Sequence, residues 1–355
     1  MEVINMGVEK LKYSDKLKNK NEDIYILALE SSCDETAAAV NKNGLEVMAN
    51  VVSSQVDVHK KFGGVVPEIA SRKHLELLLP VIDQALAEAG IKFEDLDAVA
   101  ATSGPGLVGG LLVTLTAAKT ISLALNIPLI GVNHIAGHIY ANFIANPEIK
   151  KPLLCLTISG GHTDLLYFED LRGYQILGRT IDDAAGEAFD KISRFLGLGY
   201  PGGPAIEKAA QMGNEEAIDF PRADLGKSYN FSFSGLKTSV MNYVNNEKQR
   251  GNEINTSDLA ASFQKAVVDS LASNLLQAVE EYKVESVVLS GGVAANQRLR
   301  SYLEEKLEKY NLKLYYPPLE LCTDNAAMIG AVAYYQYLER DFAPLSISAD
   351  PSLKL

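Results

Sequence analysis

The chain has 355 residues, 47% of them hydrophobic, and a formal net charge of −12. That length and apolar content suffice for a sizeable core divided between two lobes. The acidic balance excludes wholesale binding to a nucleic-acid backbone, which needs an excess of Lys and Arg to displace counterions.

Residues 1–23 carry charge without a sustained period and read as a weakly ordered surface extension. This lysine- and asparagine-rich start lacks the apolar stretch of a signal peptide, and no later run approaches the roughly 18 uninterrupted apolar residues of a membrane helix. From residue 24 a pattern recurs four times: a short apolar run followed by a turn of Gly, Ser and other small residues, read as a strand delivering a loop to a cleft. The runs are 24–29 before Ser31-Ser32-Cys33-Asp34, 96–101 before Ser103-Gly104-Pro105-Gly106, 153–158 before Ser159-Gly160-Gly161, and 286–289 before Ser290-Gly291-Gly292. Segment 26–40 also resembles 154–168 in layout, an apolar strand, a small polar turn and a second apolar strand, which predicts two related lobes. Prolines and charges over 146–152 mark the internal boundary. The expected division is an extension over 1–23, a first lobe over 24–148 plus 321–345, and a second lobe over 149–320. An apolar helix pattern over 326–337 is expected to pack back on the first lobe.

Two basic stretches offer local contact with RNA: Lys60, Lys61, Arg72, Lys73 and His74, and the lysines between Lys10 and Lys20. The same residues fit a solvated face. Cys33, Cys155 and Cys322 lie far apart without a C-x-x-C pair, so reduced thiols in a cytoplasmic protein are expected.

His134 and His138 form the sharpest local feature, because residues four apart share one helix face and two imidazoles there can reach one metal ion. A zinc protease needs a Glu directly after the first His as general base. Ile135 stands there and cannot take a proton. Asp324 is the candidate third ligand, with N-capping of the following helix as its alternative role. Gly104-Pro105-Gly106-Leu107-Val108-Gly109 satisfies G-x-G-x-x-G, but the region 20 residues on has no carboxylate for a ribose, so a dinucleotide site is rejected. A backbone loop approaching some ligand is retained. Ser159-Gly160-Gly161 and Ser290-Gly291-Gly292 fit either anion-cradling loops or ordinary tight turns. Ser159 lacks the G-x-S-x-G setting of a hydrolase nucleophile. Asp190 can point into the cleft toward hydroxyls, Glu187 and Lys191 are spaced as a surface pair, and Asp34 and Glu35 on the first loop are candidates for acid/base or orienting work.

These motifs in this order resemble the tRNA N6-adenosine threonylcarbamoyltransferases, formerly described as O-sialoglycoprotein endopeptidases, over about residues 24–338. The carrying segments are Glu30-Ser31-Ser32-Cys33-Asp34-Glu35-Thr36, Gly63-Gly64-Val65-Val66-Pro67-Glu68, the His134/His138 segment, Ser159-Gly160-Gly161-His162-Thr163, Pro201-Gly202-Gly203-Pro204, Phe231-Ser232-Phe233-Ser234-Gly235 and Gly291-Gly292-Val293-Ala294-Ala295-Asn296. The resemblance implies an α/β chain of the actin/Hsp70/sugar-kinase fold, two RNase-H-like lobes around a nucleotide cleft. It implies transfer of a threonylcarbamoyl group from L-threonylcarbamoyladenylate to the N6 amine of adenosine 37 in tRNAs reading ANN codons, with release of AMP.

Carried over by motif, His134, His138 and Asp324 would hold one divalent metal, Fe(II) with Zn(II) as competitor. Thr157, Ile158, Ser159, Gly160, Gly161, Asp190, Gly203, Glu207 and Asn296 would bind the donor. Glu207 stands where the family frequently has Asp, and Ser31 where it has Thr. A paralogous subunit of the same fold and a small ATPase are the implied partners besides tRNA. The alternatives are a metal-dependent glycoprotease and a non-catalytic scaffold of the same fold.

Overall fold

In the computed structural model, which describes residues 17–18, 22–170 and 173–355, the four apolar runs become β1 (Tyr25–Glu30), β4 (Ala98–Gly104), β6 (Leu153–Ile158) and β9 (Ser286–Ser290). Around them lie β2 (Glu35–Lys42), β3 (Glu46–Ser54), β5 (Leu129–Asn133), β7 (Thr163–Asp170), β8 (Gly173–Arg179) and β10 (Leu314–Tyr315). The helices of the first half are α1 (Val56–His59), α2 (Pro67–Ala89), α3 (Val108–Leu125) and α4 (His134–Ala145). Those of the second half are α5 (Ala185–Leu196), α6 (Gly202–Ala210), α7 (Ser234–Gln249), α8 (Thr256–Glu281), α9 (Gln297–Glu308), α10 (Leu319–Cys322) and α11 (Ala326–Glu339). The extension expected over 1–23 falls largely outside the described residues.

Contacts divide the chain into two units. The first comprises the described residues up to Gln55, then Pro67–Gly137 and Asn325–Leu355; the second comprises Val56–Val66 and His138–Asp324. The first has a five-stranded sheet in the order β3-β2-β1-β4-β5, with β1 antiparallel to β2 and parallel to β4. Leu27, Leu29, Ala38, Val40, Val99 and Ala101 join one cluster with residues of α2 and α3. The intervening Ile26, Ala28, Ala37 and Ala39 are also fully buried and face the other side. There α11 packs on β1 and β2. A sheet covered on both faces needs apolar residues at every position, which is why its central strands read as unbroken runs.

α3 is long and apolar enough, by length and composition, to cross a membrane, a property that a search for uninterrupted apolar runs passes over because Thr, Lys and Ser residues interrupt it. Here it packs on β4 and α2.

The second sheet runs β10-β9-β6-β7-β8, with β6 antiparallel to β7 and parallel to β9. Each unit therefore places its first strand between an antiparallel meander and two parallel strands, as the internal echo predicts. The long α8 is capped by Asn255, whose side chain accepts from the Ser257 and Asp258 amides, and it packs on α6, α9 and β6.

The contact units depart from the sequence boundaries in four places, one of them being residues 321–324, which fall in the second unit rather than the first. Residues 138–148 join the second unit because the C-terminal part of α4 is tied there: Asn142 Nδ2 donates to Leu289 O at 3.0 Å, and Asn146 Nδ2 to Tyr316 O at 3.3 Å. Residues 56–66 join it as well, with Arg194 Nη2 donating to Gly63 O. The chain beyond residue 345 belongs to the first unit, where Asp350 N donates to Ser103 O at 2.8 Å and Ile347 packs on the core.

Candidate functional site

α4 starts where it does because Asn133 caps it, its Oδ1 accepting from Ile135 N at 2.9 Å and Ala136 N at 3.2 Å. That cap sets His134 in the first turn and His138 in the second, on one face of one continuous helix. His138 is 2% exposed, and its Nε2 lies 3.1 Å from Asp324 Oδ1. The capping role that sequence left open for Asp324 belongs to its neighbour: Asn325 Oδ1 accepts from Met328 N and starts α11. Two imidazoles and a carboxylate are thereby assembled as one group able to ligate a metal, a donor set that suits Fe(II) or Zn(II).

Within the second unit, a cavity of about 230 Å³ is bordered by Gly160, Asp190, Gly203, Glu207 and Asn296, five of the nine residues expected to bind a donor. Its walls come from the β6–β7 turn, α5, α6 and the loop after β9. Gly186, in the first turn of α5, lets that helix approach the turn: a Cβ there would lie 2.5 Å from Ser159 O. Asp190 Oδ1 accepts from Gly202 N at 2.7 Å and ties α5 to the start of α6. Asn296 Oδ1 caps α9 at Leu299 N, while its Nδ2 donates to Gln264 Oε1 at 2.9 Å. Glu207 Oε1 accepts from Gln297 N at 2.7 Å, which its longer reach allows.

The other four expected contacts do not border this cavity. Ile158 points into the core and Thr157 is fully buried, its hydroxyl 2.8 Å from Ser290 Oγ. Ser159 Oγ accepts from His162 N at 3.1 Å, so it serves its own turn. Gly161, exposed beside Gly160, leaves open space around its Cα.

The charges of Asp183, Glu187, Lys191 and Lys237 are paired with one another. Burial alone would raise Asp183, but hydrogen bonds from Lys191 and Lys237 hold its carboxyl below its ordinary value. Glu187 and Lys191 form the expected i,i+4 pair at 2.8 Å. Asp164 on β7 goes the other way: burial raises its carboxyl and Arg179, 3.6 Å away, offsets only part of this. Burial also pushes the Cys155 thiol up to about 11, which removes it as a nucleophile.

In the first unit, the Asp34 carboxyl is 5% exposed and its Oδ2 has no hydrogen-bond partner among the described residues. Glu35 Oε1 accepts from Ser54 Oγ at 3.0 Å. The proposed basic stretch does not hold as a unit: His74 is fully buried, 2.8 Å from Thr36 Oγ1 and 3.0 Å from Cys33 O, while Lys60 pairs with Asp57 and Lys73 with Glu76. The glycines of the G-x-G-x-x-G segment pack closely against their own chain. A Cβ on Gly104 would lie 1.9 Å from Asp350 O, and one on Gly106 2.6 Å from Ser32 O. Sequence reading also gave no role to Gln264, or to Glu30, which lies against His134. Glu30 is quoted in the first motif, so a buried acid at a strand end was the available signal.

A family described as TsaD, tRNA N6-adenosine threonylcarbamoyltransferase, matches residues 46–331. A relative named tRNA N6-adenosine threonylcarbamoyltransferase from Moorella thermoacetica is 58% identical over 331 residues, covering 93% of this chain and 97% of that protein. One of the same name from Clostridium kluyveri is 54% identical over 337 residues, covering 94% and 99%. Among solved structures, HypF of T. kodakarensis matches with a TM-score of 0.62 at 17% identity, over 90% of this chain and 48% of that one. Component A of the (R)-2-hydroxyglutaryl-CoA dehydratase from Acidaminococcus fermentans matches with a TM-score of 0.52 at 17% identity, over 88% and 99%. These two likenesses speak for the fold alone, which is of the actin/Hsp70/sugar-kinase type.

Proposed function

The chain belongs to the tRNA N6-adenosine threonylcarbamoyltransferase family, and from that premise we propose the parts its residues play in forming threonylcarbamoyladenosine in tRNA. The donor is L-threonylcarbamoyladenylate and the acceptor the N6 amine of adenosine 37 in tRNAs reading ANN codons. The amine forms a C–N bond to the carbamoyl carbon, the bond from that carbon to the phosphate oxygen breaks, AMP leaves, and the amine loses a proton.

The observation that carries this reading is the cavity that joins Gly160, Asp190, Gly203, Glu207 and Asn296. Its open glycine backbone suits a phosphate, and Asp190 and Glu207 offer acceptors to ribose or threonine hydroxyls. Asp34, buried on the turn after β1, is the residue we assign as acceptor for the amine's proton. His134, His138 and Asp324 would hold a divalent metal, Fe(II) or Zn(II), which when bound supplies Lewis-acid polarisation of the carbamoyl carbonyl.

A paralogous subunit and a small ATPase complete the assembly. Support for partner docking comes from exposed apolar side chains of the first unit, Leu75 and Leu79 on α2 at 68% and Leu123 on α3 at 61%. The proposed site of action is the cytoplasm, a reading that a tRNA substrate supports.

The test is to incubate the chain and its partner subunits with the adenylate and unmodified tRNA, then digest the tRNA. Threonylcarbamoyladenosine is expected, and its failure to form with competent partners overturns the reading. Metal analysis returning an empty protein removes the metal from it. Cleavage of a glycoprotein substrate by metal-loaded chain would restore the protease alternative, which Ile135 disfavours.

A further inference from the structure

Glu30, the last residue of β1, has its side chain wholly inside the first unit at 0% exposure. Its Oε1 accepts from Ser32 N at 2.5 Å and its Oε2 from Thr102 Oγ1 at 2.5 Å, and that same Oε2 lies 3.0 Å from His134 Nδ1. Residues from β1, the following turn, β4 and α4 thus converge on one carboxyl group. Burying such a group is costly unless donors surround it, so its place needs a reason.

The related sheet shows that the fold does not supply one. Four residues separate β1 from β2, and four separate β6 from β7, so Ile158 in the second unit occupies the position of Glu30. Ile158 is fully buried in an apolar core. A hydrocarbon side chain satisfies this strand end where no histidine faces it.

We propose that Glu30 is a positioning residue for His134, fixing the tautomer that carries its hydrogen on Nδ1 and leaves the Nε2 lone pair for a metal. A carboxylate only accepts, so the imidazole nitrogen facing it must donate. With Nδ1 committed in this way, Nε2 is the ligating atom and the ring cannot turn over to present the wrong nitrogen. Ser32 Oγ, 3.1 Å from the same Nδ1, closes the remaining side. The inference rests on the reading of His134 as a ligand and adds which atom ligates and what holds it.

Two measurements on the full chain test it. Titration with Zn(II) and Fe(II) ions against a chromophoric chelator should show metal affinity falling about 10- to 100-fold in Glu30→Gln, the usual effect of removing an outer partner of a ligating His. Glu30→Ala should fall at least as far. Nitrogen-15 NMR of the histidine rings in the unsubstituted, metal-free chain, assigned by the signal lost in His134→Asn, should show the hydrogen on Nδ1. Unchanged affinity in both variants, or a hydrogen on Nε2, overturns the proposal for Glu30 alone. Equal metal binding by the unsubstituted chain and His138→Ala overturns the ligand reading and the proposal with it.

Discussion

The two sheets share a strand order and even the length of their first hairpin turn, yet the turns differ in kind. In the first unit Ser31 and Ser32 are buried, with Ser31 Oγ donating to Gly110 O at 2.9 Å. In the second, Gly160 and Gly161 are exposed, and a Cβ on either would meet no heavy atom within 4 Å. One frame has been used twice, once to pack a turn against the helix after β4 and hold a histidine, and once to leave a turn open beside a cavity. Topology alone therefore does not locate a ligand; the residues in equivalent turns do.

The comparison breaks most sharply at Asp190. Asp190→Ala removes a cavity carboxylate and the anchor of the first α6 amide. Threonylcarbamoyladenosine formation should fall about 10- to 100-fold, the equivalent of the roughly 1.5–3 kcal/mol carried by a hydrogen bond to a charged group. Full activity in a tRNA digest would detach the open turn's cavity from the reaction.

Next is Gly110→Ala, which asks whether the first turn is as tightly packed as it looks. The added Cβ would lie 2.2 Å from Ser31 O, and overpacking of this kind costs about 1–3 kcal/mol. A lowered urea midpoint is expected, and an unchanged one would show that the turn yields.

Asp164 sharpens the contrast through pH. Its folded-state carboxyl is raised above the ordinary value, chiefly by burial, so the native chain binds this proton more tightly than the unfolded one. The corresponding stability is full below the unfolded value near 3.8 and is lost as pH rises through the folded value. Asp164→Asn should therefore be at least as stable as the parent at neutral pH, with its advantage vanishing toward acid. An Asn variant less stable at neutral pH would mean that the Arg179 pairing outweighs burial.

The smallest effect on stability belongs to Gly160→Ala. With open space around it, this change should stay within about 0.5 kcal/mol, while transfer activity drops as the methyl group enters the donor cavity. A destabilisation matching that of Gly110→Ala would erase the difference between the turns.

Much of this was legible in order of residues. The central strands β1, β4, β6 and β9 announce themselves because burial on both faces demands unbroken apolar runs. Short peripheral strands such as β10, two residues long, carry no such signal. His134 and His138 are readable as a pair because four residues make one helical turn, whatever the rest of the chain does. Local pattern misled where the partner was remote. The glycines at 104 and 106 look like a ligand loop, yet what they approach is Asp350 and Ser32. His74 looks like part of a basic surface, yet β2 and the first turn enclose it.

By itself, then, the order of residues determined the repeated strand pattern, the helical histidine pair and, through many motifs in series, the family. These are short-range regularities set by backbone periodicity and by segments that survive as text. Only the tertiary structure decided that Asn325 rather than Asp324 caps α11, that Ile158 and Glu30 occupy equivalent strand ends with opposite chemistry, and that five distant residues border one cavity. Each depends on which atoms meet across tens or hundreds of residues, and a hydrogen bond or a buried charge is a property of that meeting, not of either residue alone.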